Sequence, residues 1–285
     1  MIELGESRWN DGQSVLDEAT SVAEYQGDWR MYETLTGMSG IQNGFIGRFR
    51  RAAQDWSLSL ESARQRGNPQ AIGWSLLGLG EQNYRMGDHA DGIQRMEEAL
   101  QPLVESGSTT HMYQAHGVLA EALAEEQEFG RARDHIDKAV SLLGYKRPAS
   151  YFLMYGHAGV ASAAIAICAG GSGDAELRTV ASKSVRLMET FAGVFPFGLG
   201  RAHLLRGRLE AMQGRPDKAM RAWQRGVLAA KAHGMCLDEA LCHLEIGARL
   251  RDDQPDRAAH LQVATSLFAE CGAARQESIA RQLLG

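Results

Sequence analysis

Residues 71–106, AIGWSLLGLGEQNYRMGDHADGIQRMEEALQPLVES, contain the pattern on which the fold prediction rests. Apolar residues recur at helical spacing on both sides of a predicted turn at Gly87. Small residues such as Gly80 let two helices approach closely, while large ones such as Met96 fill the space beside them. We therefore predict that this stretch forms a pair of antiparallel amphipathic helices.

The same pattern recurs when the chain is shifted by forty residues. The small residue of the first predicted helix recurs at Gly40, Gly80 and Ala120, and the large residue of the second at Trp56, Met96 and Ile136. A second set of matches, also forty residues apart, pairs His203 with His243, Gly207 with Gly247 and Ala219 with Ala259. A register held over this length indicates internal repeats rather than chance matches.

The repeats resemble the longer variant of the tetratricopeptide repeat, which has about forty residues per unit. The segments that carry the resemblance are Gly47-Arg48-Phe49 with Ala52 and Trp56, and Gly214-Arg215-Pro216 with Ala219 and Trp223. The resemblance implies an all-α fold, a right-handed α-solenoid of helix–turn–helix repeats. It also implies that Trp56 and Trp223, at equivalent positions, pack in the core between helices.

We predict one solenoid over residues 1–285. It comprises an unpaired N-terminal helix at 8–26, helix pairs at 29–66, 70–106, 111–144, 149–192, 199–233 and 236–271, and a capping helix at 273–285. The unit at 149–192 breaks the forty-residue period, and the second helix of the last pair is slipped. An N-terminal helix without a partner predicts a piece of a longer protein whose missing part lies upstream; the alternative is that this helix is itself a cap. The glycine-rich helix near 29–45 is expected either to be weakly stable or to pack unusually close to something.

Composition narrows the classes of partner and the compartment. The net charge is −5 and no basic stripe is visible, so nucleic acid is not expected as a partner. The four cysteines do not form the pattern of a small disulfide-stabilised domain, the N-terminus does not read as a signal peptide, and the apolar run at 158–168 is too short to span a bilayer. These features predict a cytoplasmic protein without a membrane partner.

No motif for catalysis, cofactor binding or metal binding is recognised. The glycine loop at 170–174 lacks the following Lys-Ser/Thr of a phosphate loop. His233, Cys236, Cys242 and His243 fall within eleven residues, but their helical positions diverge, so a zinc site is not expected. We predict no catalytic residue, no cofactor and no metal.

What remains is the concave surface, which the first helices line in tetratricopeptide-like solenoids. Aromatic side chains mixed with Arg and Glu suit a groove that holds a peptide or a partner helix. Single members could instead be contacts between repeats. The predicted partner-binding residues are Trp74, Glu81, Tyr84, Arg85, Gln114, Glu121, Glu125, Tyr151, Tyr155, Arg201 and Arg208.

Two functional hypotheses follow. Segments 67–80 and 194–210 resemble the C-terminal repeat regions of large bacterial signal-transduction NTPases, nucleotide cyclases and kinases. That resemblance implies a non-enzymatic scaffold that regulates an upstream domain of the same polypeptide or binds a separate protein or peptide; it could also form a homodimer through the N-terminal helix. The alternative is a small-molecule or enzymatic site near residues 148–200, lined by Tyr151, Tyr155, His157 and Phe197.

Overall fold

The computed structural model describes residues 8–143 and 150–285, and this part of the chain is helical without any strand. The helices are α1 (Trp9–Gln26), α2 (Trp29–Phe45), α3 (Phe49–Arg66), α4 (Pro69–Met86), α5 (His89–Glu98), α6 (Leu100–Glu105), α7 (Thr109–Glu125), α8 (Phe129–Leu143), α9 (Met154–Ala169), α10 (Ala175–Val194), α11 (Leu199–Met212), α12 (Pro216–Ala232), α13 (Cys236–Gly247), α14 (Pro255–Cys271) and α15 (Ala274–Leu284). Short 3-10 turns at Tyr151–Leu153 and Pro196–Gly198 precede α9 and α11. Residues 1–7 and 144–149 lie outside the described residues. These include residue 144, where one predicted helix pair ends, and residue 149, where the next begins.

Neighbours along the chain are also neighbours in space. Most helices pack mainly on the helices before and after them, and the alternate helices α2, α4, α7, α9, α11 and α13 also touch in sequence, with α9 packed most extensively on α7. This consecutive packing is compatible with a helical repeat. Pro102 explains why the predicted helix at 89–106 is divided into α5 and α6 at Ala99: proline cannot donate a hydrogen bond to the carbonyl four residues earlier, and its ring crowds that carbonyl.

The turns between helices follow a regular spacing of twenty residues. A residue with positive φ, between 62° and 103°, occurs at Gly27, Gly47, Gly67, Gly87, Gly107 and Gln127. A left-handed residue is a common way to end a helix, and glycine adopts it without a steric cost. Gln127 is the only non-glycine residue with positive φ in the described part of the chain. Two such turns make one forty-residue unit.

Small residues in the first helices receive large residues from the second helices. A Cβ atom built on Gly40 would lie 2.7 Å from the Trp56 indole, and one on Gly80 would lie 2.9 Å from Met96. Gly207 receives Trp223 in the same way. Both tryptophans are buried, as predicted. In the last pair, Gly247 receives Leu261, two residues before the position that the register requires, which accounts for the slipped second helix.

The array curves far enough for its N-terminal helices to meet its C-terminal ones. The indole nitrogen of Trp9 donates to the carbonyl of His233 at 2.7 Å. The Trp9 ring also lies 5.6 Å from that of Phe197. Gly47 contacts Cys236 and Cys271, at the ends of α13 and α14. Helix α1 therefore has partners at both ends of the chain and is not isolated.

One helical segment of the described chain, Tyr151–Ala169, is long and apolar enough to cross a membrane. It is longer than the run at 158–168 that the sequence analysis considered, because the 3-10 turn continues directly into α9. However, 72% of its most apolar window is buried inside the helical array. Packing against neighbouring helices therefore accounts for its apolar composition.

Candidate binding site on the inner face

We call the surface formed by α2, α4, α7, α9, α11 and α13 the inner face. All eleven side chains predicted for partner binding line two adjoining cavities on it. The larger, the aromatic pocket, has a volume of about 390 Å³, and its lining includes Trp74, Glu81, Gln114, Tyr151 and Tyr155. The smaller, the charged cavity, has about 50 Å³ and is lined in part by Glu81, Tyr84, Arg85, Glu121, Glu125, Arg201 and Arg208.

Glycines create the space of the aromatic pocket. Gly37 and Gly40 of α2 face the Trp56 indole, and a Cβ at either position would lie 3.2 or 2.7 Å from it. Gly78 of α4 contacts the same indole, where a Cβ would overlap it. The indole thus occupies a slot between two glycine surfaces. The glycine-rich helix does pack unusually close to a neighbour, and its lack of side chains leaves the pocket open.

Aromatic rings form much of the pocket wall. Trp74, His111 and Phe152 form a row of rings. The centroid of the His111 ring lies 4.6 Å from that of Trp74 and 4.6 Å from that of Phe152. Burial lowers the pKa of His111 to about 4, so the ring is neutral near pH 7. The remaining aromatic lining residues are Phe45, Trp56, Tyr151 and Tyr155.

Two polar atoms of the pocket lining have no hydrogen-bond partner among the described residues: Nε1 of Trp74 and Oε1 of Gln82. The Gln82 side chain belongs to a residue that is only 3% exposed. A buried polar group without a partner costs about 1–3 kcal/mol.

The charged cavity is filled by ion pairs between helices. Arg201 donates to Asp238 at 2.7 Å, and the two side chains are 2% and 1% exposed. Arg208 donates to Glu245 at 2.6 Å. A further ion pair lies within α4, where Arg85 donates to Glu81 at 2.6 Å. These guanidinium groups are already matched by carboxylates of the same chain.

Tyr84 lies at the edge of the charged cavity, where α4, α7 and α15 meet. Its hydroxyl lies 3.0 Å from Glu125 and 3.1 Å from Glu126. Arg275 donates to Glu126 and, at 2.8 Å, to the backbone carbonyl of Glu125. Burial raises the pKa of the Glu81 and Glu125 carboxyls. The cavity holds little more than a water molecule, so its polar groups stabilise the closed array.

The residues predicted to line the alternative small-molecule site divide between the aromatic pocket and the buried core. Tyr151 and Tyr155 line the aromatic pocket. His157 is buried, and its Nδ1 lies 2.6 Å from the hydroxyl of Tyr113. Phe197 is fully buried against Phe45. The lining residues that were not predicted from the sequence include Gln82, His111 and Phe152.

Three of the four residues weighed as zinc ligands have separate neighbours. Cys236 lies next to Cys271, Cys242 contacts the Gly226 position, and His243 pairs with His260 at 2.7 Å. Within residues 8–143 and 150–285, no group of three His, Cys, Asp or Glu side chains could hold a metal ion.

A comparison of the sequence with protein-family models finds no match, and a comparison with curated proteins finds none either.

Proposed function

We propose that this protein is a tetratricopeptide-like, right-handed α-solenoid that acts as a non-enzymatic binding scaffold. Its binding element in this proposal is the aromatic pocket, and its ligand is a small, largely apolar molecule. The solenoid assignment is supported by left-handed turns every twenty residues from Gly27 to Gln127 and by the recurring contact between a small and a large residue.

The observation that carries the ligand proposal is the contrast between the two cavities. The aromatic pocket, at about 390 Å³, has a volume typical of small-molecule sites and is lined mainly by apolar and aromatic groups. The charged cavity, at about 50 Å³, is already filled by side chains. An extended peptide would need an open groove along the inner face. This contrast favours the small-molecule hypothesis over the peptide hypothesis.

The chemistry of the lining narrows the ligand further. Rings on several sides favour a planar aromatic molecule, which gains both apolar burial and ring–ring contacts. Glu81 is the one carboxylate among the described lining residues, and it is paired with Arg85, so these residues demand no net charge of the ligand.

A neutral, environment-sensitive dye, N-phenyl-1-naphthylamine, tests the proposal by fluorescence titration. The wild type should bind it saturably at one site. Ile41→Trp adds bulk to a pocket-lining position and should weaken binding at least tenfold. Leu228→Trp makes a similar addition at an exposed position outside the pocket and should leave binding unchanged. Equal binding by Ile41→Trp and wild type, at equal helical content, would refute the assignment of the pocket.

A second candidate function is self-association through α1 and α2, whose exposed sides form an apolar groove. Val15 and Val22 are 61% and 48% exposed, and they line this groove with Met31 and Leu35. Burying such side chains against a second copy would remove apolar surface from water. Sedimentation velocity should show a dimer that Val15→Glu/Val22→Glu dissociates. A wild type that stays monomeric at every concentration would exclude it.

A further inference from the structure

Two cysteines outside the inner-face cavities lie side by side. Cys236 begins α13 and Cys271 ends α14, and their sulfur atoms are 2.8 Å apart. Both are free thiols. The first residue of one antiparallel helix and the last residue of its partner meet at the same end of the pair, which explains the proximity of residues 35 positions apart.

The pair borders a crevice that opens to solvent. The crevice has a volume of about 570 Å³, and the turn at Gly47 forms part of its opposite wall. Cys236 is half-buried and Cys271 is buried. A Cβ at Gly47 would lie 2.5 Å from the Cys271 sulfur. The thiols therefore lie where the N-terminal and C-terminal helices meet, and a small reagent can approach Cys236.

We propose that Cys236 and Cys271 form a dithiol modification site that a small disulfide of the glutathione type converts to an intramolecular disulfide. The Cys236 thiolate attacks one sulfur of the small disulfide, which forms a mixed disulfide and releases one thiolate. Cys271 then loses its proton and attacks the Cys236 sulfur, and the second small thiolate leaves. The protein is oxidised by two electrons, and one small disulfide is reduced to two thiols.

The geometry assigns the order of the two steps. A disulfide bond is about 2.05 Å long, so the sulfur atoms must approach by only about 0.8 Å. The contact with Cys236, together with burial, raises the pKa of the Cys271 thiol. Cys271 is thus the poorer nucleophile, and the more accessible Cys236 attacks first.

The bond would link the first residue of α13 to the last residue of α14, beside Gly47. Such a link restricts the unfolded chain and holds the last helix pair closed. A Cβ built on Gly47 would lie 2.5 Å from the Cys271 sulfur and 3.3 Å from the Cys236 Cβ, so the bond would form where the N-terminal and C-terminal helices meet. We therefore expect a thermal unfolding midpoint several degrees higher for the oxidised protein.

The test is incubation of the full chain with oxidised glutathione, followed by intact-mass and peptide analysis. Wild type should lose two hydrogen atoms, carry no glutathione and yield a peptide pair linked through Cys236 and Cys271. Cys271→Ser should retain glutathione on Cys236, because the second step is blocked. Cys168→Ser, which changes a partly exposed cysteine elsewhere, should behave as wild type.

Two results would overturn the proposal. One is a wild type that keeps all its thiols under conditions that oxidise a reference dithiol. The other is a wild type that accumulates glutathione on Cys236 without closing the bond. The rise in unfolding midpoint should appear in oxidised wild type, vanish on addition of dithiothreitol and be absent from Cys236→Ser after the same treatment. If the midpoint of Cys236→Ser rises equally, the link is not its cause.

Discussion

Replacing Gly40 by alanine should destabilise the protein, although alanine is the better helix former by about 1 kcal/mol. The new Cβ would lie 2.7 Å from the Trp56 ring, whereas carbon atoms in contact are about 3.5–4.0 Å apart. The ring must therefore move by about 1 Å. Gly78 closes the other side of the slot and prevents this movement. Overpacking of this kind costs about 1–3 kcal/mol, and we place this case near the top of the range. The net loss should be about 2 kcal/mol.

Urea unfolding followed by far-ultraviolet circular dichroism measures this loss. Gly193→Ala is the matched control, because it lies near the end of helix α10 with no atom within 4 Å of its Cβ position, and it should stabilise by about 0.5–1 kcal/mol. In a Trp56→Leu background the Gly40→Ala penalty should vanish, because the ring that it strikes is gone. An unchanged penalty in that background, or a Gly40→Ala protein as stable as wild type, would refute the slot. Because Trp56 also lines the aromatic pocket, its displacement should weaken dye binding as well.

For three other perturbations, the structure determines whether the free energy of unfolding rises or falls. Gln127→Gly should raise the free energy of unfolding by about 1 kcal/mol, because glutamine at φ of 62° is strained where glycine is not; no gain in urea midpoint would contradict this. Arg201→Met should lower it by about 3–5 kcal/mol, because it leaves Asp238 buried and unpaired. Adding Asp238→Leu should restore most of the lost stability. A double variant no more stable than Arg201→Met would count against the importance of the ion pair. Burial lowers the pKa of His157 from 6.5 to about 4, so the unfolded state binds the proton first as pH falls and stability declines below pH 6.5. The decline attributable to this histidine approaches about 3 kcal/mol near pH 4 and should be missing from His157→Asn, so equal pH profiles would exclude it.

The helices and their pairing were predictable because both depend on local patterns. A small residue in one helix and a large residue sixteen positions later, as in Gly40 with Trp56 and Gly207 with Trp223, define the hairpin without knowledge of the rest of the chain. The division of the helix at Ala99 could also have been read from Pro102, whose ring blocks a carbonyl one turn earlier.

The curvature of the helical array, which brings distant helices together on the inner face, was not predictable in the same way. Its curvature is the sum of small rotations between neighbouring units, and no single pair of residues encodes it. Tyr155 donates to the carbonyl of Gly44, a residue 111 positions away. The sequence pattern selected charged side chains such as Arg201 for a groove, and the structure pairs Arg201 of α11 with Asp238 of α13. By contrast, the contact of Cys236 with Cys271 follows from the ends of one helical hairpin, and that signal was present in the sequence.

The most direct test of the ligand-binding proposal is a crystal structure of the protein soaked with a small brominated aromatic compound such as 4-bromophenol. The anomalous signal of bromine locates the ligand without reference to any model of the pocket. We expect one strong peak within the aromatic pocket, near Trp74 and Tyr151. Bromine peaks only at the outer surface, or no peak at a concentration that saturates the dye site, would contradict the proposal.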